Sequence, residues 1–118
     1  MDAAPGPRDR LLREVARNEA ELAQLEADHA ALLQAAESSN ADDEHDPEGA
    51  TLAFEREQLT SIMARVRETI ADQRQALADD QAGRYGRCDG CGRPIDPARL
   101  EVRPQARLCM DCARQRGR

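Results

Sequence analysis

Residues 88–112 read CDGCGRPIDPARLEVRPQARLCMDC, and this stretch decides how the C-terminal part of the chain folds. It contains two Cys-x-x-Cys pairs, Cys88 with Cys91 and Cys109 with Cys112, separated by seventeen residues. Two residues between cysteines form a tight turn that presents both sulfurs to one metal, and two such pairs supply the four thiolates of a tetrahedral zinc site. The spacing therefore predicts one structural Zn2+ in a small, zinc-ribbon-like finger.

Other uses of the four cysteines are weaker predictions. A pair of redox dithiols needs a βαβ scaffold around a Cys-x-x-Cys motif, and the sequence has no such pattern. Iron accepts the same four ligands, and the spacing does not separate iron from zinc. Since four thiolates leave no open position on the metal, and the chain has neither a Ser/His/Asp set nor a phosphate loop, we do not expect an enzyme.

The N-terminal seven residues lack the apolar segment of a secretory signal, and no stretch of the chain approaches a bilayer span. We therefore expect a cytoplasmic protein without membrane contact. In that compartment, paired cysteines are more often metal ligands than disulfides.

Upstream of the finger, seam residues recur in alternating steps of four and three, which is the heptad pattern of packed helices. The first set is Leu11, Val15, Asn18, Leu22, Leu25, His29, Leu32 and Ala36, and the second is Leu52, Arg56, Leu59, Met63, Val66, Ile70, Gln73 and Leu77. A short connection favours an antiparallel pair within one chain, although the heptads also permit pairing between chains. We expect His29 to be a seam residue rather than a ligand.

The two heptad segments are joined by an acidic turn near residues 40–50, and Gly83 is expected to end the second helix. The predicted fold is mainly α: an antiparallel two-helix coiled-coil hairpin followed by a four-cysteine finger. We place a flexible leader at 1–9, the hairpin at 10–82 and the finger at 83–118, and we expect a monomer.

Charge is divided unevenly along the chain. Residues 1–82 carry 8 Arg and 19 acidic residues, whereas residues 83–118 carry 9 Arg and 4 acidic residues. The basic tail permits a nucleic-acid-binding ribbon, but only Tyr85 could stack on a base, and we expect no sequence-specific DNA binding. A zinc-stapled coiled-coil adaptor that docks another protein is a second alternative.

The finger also resembles a known family. The stretch 85–92, followed by Ile95, residues 99–101, Arg103-Pro104, Ala106 and the last cysteine pair, is similar to the TraR/DksA zinc-finger family. The layout of helix, acidic turn, helix and finger resembles DksA-like members over nearly the whole chain. The resemblance implies a transcription regulator that binds RNA polymerase through its secondary channel, with the acidic tip acting near the active centre.

The resemblance also implies roles for particular residues. The family's tip motif, Asp-x-x-Asp-x-Ala, falls on His45, Glu48 and Ala50 in one register, and a shifted register uses Asp43 and Asp46. We take Asp43, Asp46, Glu48 and Ala50 together as the polymerase-contacting acidic tip. Of three basic positions linked to the alarmone ppGpp in such proteins, Arg103 matches, while Asp72 and Ala113 replace the other two, which leaves ppGpp a doubtful partner.

Overall fold

The computed structural model describes residues 6–38 and 47–116, and these residues form two long helices followed by two short ones. They are α1 (Pro7–Ser38), α2 (Pro47–Gln81), α3 (Pro97–Val102) and α4 (Met110–Gln115). The prediction of a mainly α chain, with a packed helix pair before a four-cysteine region, is confirmed. By its contacts the chain divides into two compact units. One unit consists of Met1–Arg17 together with Thr69–Arg118, and the other is Asn18–Glu68.

The ends of the long helices follow from local chemistry. Proline is favoured in the first helical turn, and the Arg10 N–H donates to the Gly6 carbonyl at 3.1 Å, so α1 begins at Pro7. Residues 7–9, which we placed in the leader, are therefore the first residues of α1. At the other end, α2 stops at Gln81 and Gly83 has a φ of 77°, which confirms Gly83 as the residue that ends this helix.

In the unit Asn18–Glu68, α1 and α2 pack in antiparallel directions. The Glu26 carboxylate pairs with Arg67 at 3.0 Å, and the His29 ring lies 3.4 Å from the Thr60 hydroxyl, so the partner number falls as the α1 number rises. His29 is half-buried in the seam, as expected. Every predicted seam position in both helices is buried or half-buried, which confirms the heptad pattern.

The unit formed by Met1–Arg17 and Thr69–Arg118 holds most of the buried side chains among the described residues. Those from the long helices are Leu11, Val15, Ile70, Gln73 and Ala76. From the finger, Cys88, Ile95 and Pro104 are also buried. The finger is therefore the end of a small shared core rather than an independent one.

The finger differs in detail from the predicted ribbon. Its extended part is a single antiparallel bridge between Arg87 and Pro94, and no longer strand is found in the described ranges. Two six-residue helices, α3 and α4, occupy the rest. Asp96 caps α3 by accepting from the Ala98 N–H at 2.9 Å, and Pro97 fits the first helical position.

None of the helices described, long or short, has a stretch apolar enough and of sufficient length to cross a lipid bilayer.

Candidate metal centre

The four cysteine sulfurs form one cluster. All lie within 4.8 Å of one another, and the Cys91 and Cys109 sulfurs are 3.8 Å apart. A tetrahedral zinc with Zn–S bonds of about 2.3 Å requires sulfur–sulfur edges of about 3.8 Å. The donor set and its spacing therefore fit a four-coordinate thiolate site for one structural Zn2+.

The first cysteine pair is shaped by its backbone. The Cys88 N–H donates to the Arg93 carbonyl at 2.8 Å, and the Gly92 N–H donates to the Cys88 carbonyl at 2.9 Å, which closes a tight turn. The Gly90 N–H points at the Cys88 sulfur at 3.3 Å. Since Gly92 has a φ of 76°, its glycine is required by the backbone conformation.

Gly90 is required because of a close contact and not because of its backbone conformation. Its φ is not positive. A Cβ on Gly90 would instead lie 3.0 Å from the Cys112 sulfur and 3.3 Å from the Cys112 Cβ. Glycine is needed here because the first turn passes directly against a ligand from the second pair.

The second cysteine pair lies at the start of α4. Cys109 is the N-cap, in extended conformation, and its carbonyl accepts from the Ala113 N–H at 2.9 Å. Cys112 follows within the first turn of the helix, so the two sulfurs are presented by one helical turn. The Asp89 N–H donates to the Arg107 carbonyl at 2.8 Å and joins the two turns.

The surroundings of Cys88 and Cys112 perturb the pKa values of these two thiols in opposite directions. Burial alone would raise the pKa of Cys88, but backbone N–H donors from Cys109, Cys91 and Gly90 outweigh it and lower the pKa to about 6. The pKa of Cys112 is raised to about 12, chiefly because its thiol hydrogen-bonds to Cys88. Among sulfurs this close together, one therefore loses its proton before the others. A divalent cation stabilises all four as thiolates.

The finger is attached to α1 and α2 by polar contacts that the sequence did not reveal. Arg10 of α1 donates to the Glu101 carbonyl, and Arg107 lies 3.7 Å from Asp72 in α2. Within the finger, Arg107 also pairs with Asp89 at 2.8 Å, and the Tyr85 hydroxyl donates to the Pro104 carbonyl at 2.9 Å. No motif marks these residues, because each contact joins positions that are distant in the sequence.

The predicted tip residues lie far from the metal ligands in the sequence, whereas Arg103 lies between the two cysteine pairs. Asp43 and Asp46 fall outside the described residues, and Glu48 belongs to the first turn of α2. Ala50 is exposed in the same helix. Arg103 is the exposed C-cap of α3, and its backbone N–H donates to the Arg99 carbonyl at 2.7 Å.

Fold and site together define a class of protein, in which a two-helix hairpin is followed by a structural four-cysteine zinc finger. Residues 83–116 match the family model of the prokaryotic dksA/traR C4-type zinc finger. The match covers the finger alone, and it agrees with the resemblance seen in the sequence. No curated protein matches the chain.

A solved structure, that of transcription factor DksA2 from Pseudomonas aeruginosa, is similar to most of the chain. The alignment has a TM-score of 0.74 and 24% sequence identity, and it covers 94% of this chain and 80% of that chain. At this identity the likeness establishes a shared fold. It extends well beyond the finger into the helix pair.

Proposed function

We propose that this protein is a non-enzymatic transcription regulator that binds RNA polymerase through its secondary channel. The observation that carries the proposal is the combination of a dksA/traR-type finger with a fold shared, over 94% of the chain, with a transcription factor. A zinc finger alone would leave the partner open, because four-cysteine fingers serve many functions.

The acidic turn supplies the chemistry of the proposal. Residues 42–48 hold five acidic side chains, at Asp42, Asp43, Glu44, Asp46 and Glu48. In the sequence, four of them lie between α1 and α2, and Glu48 belongs to the first turn of α2; the two helices form an antiparallel pair in the unit Asn18–Glu68. Carboxylates carried into a magnesium-dependent centre would interact with its metal ions and its arginines, and would alter how long a promoter complex persists.

The test uses the zinc-loaded full chain and purified RNA polymerase. The tip variant combines Asp43→Asn, Asp46→Asn and Glu48→Gln. Its matched control combines Glu21→Gln, Glu57→Gln and Glu68→Gln, three acids that are exposed on α1 and α2 and that change the net charge equally. Binding is measured by competition with a secondary-channel probe, and promoter-complex lifetime is measured separately.

We expect the wild type and the control to bind and to change the lifetime, and the tip variant to bind without changing it. Loss of the effect in the control as well would show that total charge matters, and not the acidic turn. A wild type that fails to bind polymerase would refute the proposal and favour the adaptor function.

The alarmone contact stays a prediction. Arg103 is exposed, but Asp72 pairs with Arg107 and Ala113 offers no charge, so only one of the three positions is basic. We propose that ppGpp adds little to the action of this protein. A lifetime effect that grows severalfold with ppGpp, and that Arg103→Ala removes, would contradict this.

A further inference from the structure

The unit Asn18–Glu68 contains a groove that the acidic turn does not explain. It has a volume of about 560 Å3 and lies between α1 and α2. Its apolar surface comes from Ala31 and Leu32 on α1, and from Leu59 and Ile62 on α2. Leu32, Leu59 and Ile62 are only half-buried, so part of their apolar surface is open to a partner.

The groove is bordered by negative charge. Asp28 on α1 and Glu55 on α2 line it, both are exposed, and no arginine lines it. Asp28 accepts from the Gln24 amide at 3.0 Å, and neither Asp28 nor Glu55 has an ion pair among the described residues. Within residues 6–38 and 47–116, the two carboxylates beside the apolar groove are therefore without a cationic partner.

The groove also has an exposed aromatic neighbour. Phe54 is 63% exposed and lies one helical turn before Gln58, which lines the groove. Large aromatic side chains are enriched where protein partners bind, so this exposure extends the apolar surface along α2.

Charge decides which occupant fits. Residues 18–68 carry thirteen acidic residues and three arginines, a net charge of −10. A second copy of this surface, or a nucleic acid, would be repelled by that charge, whereas a basic protein segment would be attracted. The apolar floor requires that the segment also bring an aliphatic or aromatic side chain.

We propose that this groove is a docking site for a basic segment of RNA polymerase, one that anchors an apolar side chain between Leu32 and Ile62. Flanking arginines or lysines of that segment pair with Asp28 and Glu55. The inference rests on the proposed function and adds to it a second contact, separate in sequence from the acidic turn. The acidic turn acts near the active centre, and the groove contributes affinity for the polymerase.

The steric test compares two neighbouring alanines. Ala31→Arg fills the groove and offsets one of its two negative charges. Ala30→Arg makes the same substitution about 150° away around α1 from the middle of the lining face, by the 3.6-residue repeat. Both positions are exposed, and arginine is a good helix former, so both variants should fold. We expect binding to core polymerase to weaken about tenfold for Ala31→Arg and less than twofold for Ala30→Arg.

The electrostatic test uses a second pair of variants. Asp28→Asn with Glu55→Gln neutralises the groove, and Glu37→Gln with Glu57→Gln makes an equal change of charge on exposed positions outside it. Affinity of the groove variant should fall less steeply with salt than that of its control.

The outcomes separate the two proposals. If the wild type does not bind polymerase, the proposed function is wrong and the docking site falls with it. If the wild type binds, and Ala31→Arg binds equally well or no worse than Ala30→Arg, the function stands and the docking site is refuted.

Discussion

The substitution Gly90→Ala tests the close approach of the two cysteine pairs. The added Cβ would lie 3.0 Å from the Cys112 sulfur and 3.6 Å from a methyl group of Leu108. Cys112 has little room to move, because its sulfur must stay on the metal and its backbone is fixed in α4. Overpacking of this kind costs about 1–3 kcal/mol, so zinc affinity should fall by about tenfold to a hundredfold.

The assay is competition for zinc between the protein and a chromogenic chelator at fixed pH, since protons compete with zinc for the sulfurs. Gly83→Ala is the matched control. Gly83 has a φ of 77° with nothing within 4 Å of its added Cβ, so alanine there introduces backbone strain without touching a sulfur. It should lower the free energy of unfolding by about 1–2 kcal/mol and affect zinc affinity less than Gly90→Ala does.

The reasoning would be refuted if Gly90→Ala bound zinc as tightly as the wild type. It would also be refuted if Gly83→Ala lost as much affinity, because the loss would then come from general destabilisation. Cobalt substitution gives a second readout, since a displaced Cys112 sulfur would alter the tetrahedral absorption spectrum of the bound metal.

Three further predictions follow from the finger and its attachment to the helices. Burial raises the pKa of Tyr85, the only tyrosine, so its ultraviolet titration should lie above pH 10 in the folded protein and at about 10 in urea. The associated stability should be complete below pH 10 and lost as the pH rises through the folded pKa; titration at the unfolded value would contradict this. Asp96→Ala should lower the free energy of unfolding by about 1 kcal/mol in urea titrations. Asp96→Asn should retain most of that stability, because asparagine also caps helices. Arg107→Ala should lower the free energy of unfolding by under about 1 kcal/mol, since Arg107, Asp89 and Asp72 are each about 40% exposed. A loss of stability that does not shrink as salt is added would contradict this and would indicate a buried role for Arg107.

The helix pair could be predicted because its pattern is repeated. Each seam position is supported by neighbours three and four residues away, so single polar interruptions do not hide the period. Gln73 is an example: it is polar, but it lies on the predicted seam and is only 1% exposed. The cysteine site could be predicted because the spacing of ligands is itself the geometric requirement of the metal.

Most of the features that could not be predicted depend on contacts between residues that are distant in the sequence. Gly90 is required because of its contact with Cys112, which lies 22 residues further along the chain. Arg107 is one of 17 basic residues, and nothing local distinguishes it as the arginine between Asp89 and Asp72. Helices α3 and α4 are too short to show a hydrophobic period, so their six residues each left no pattern to read.

The likeness to a solved structure at 24% identity follows from how few positions this fold constrains. A heptad seam accepts many residues, including Arg56 and Gln73 in this chain, provided that most positions are apolar. Four thiolates hold a finger whose own buried residues are few, because metal binding supplies the stability that a larger core would otherwise give. The surfaces that meet a partner are not constrained in this way. Neither the seam nor the metal constrains Asp28, Glu55 or the acidic turn, so both proposals about binding have to be tested at those residues.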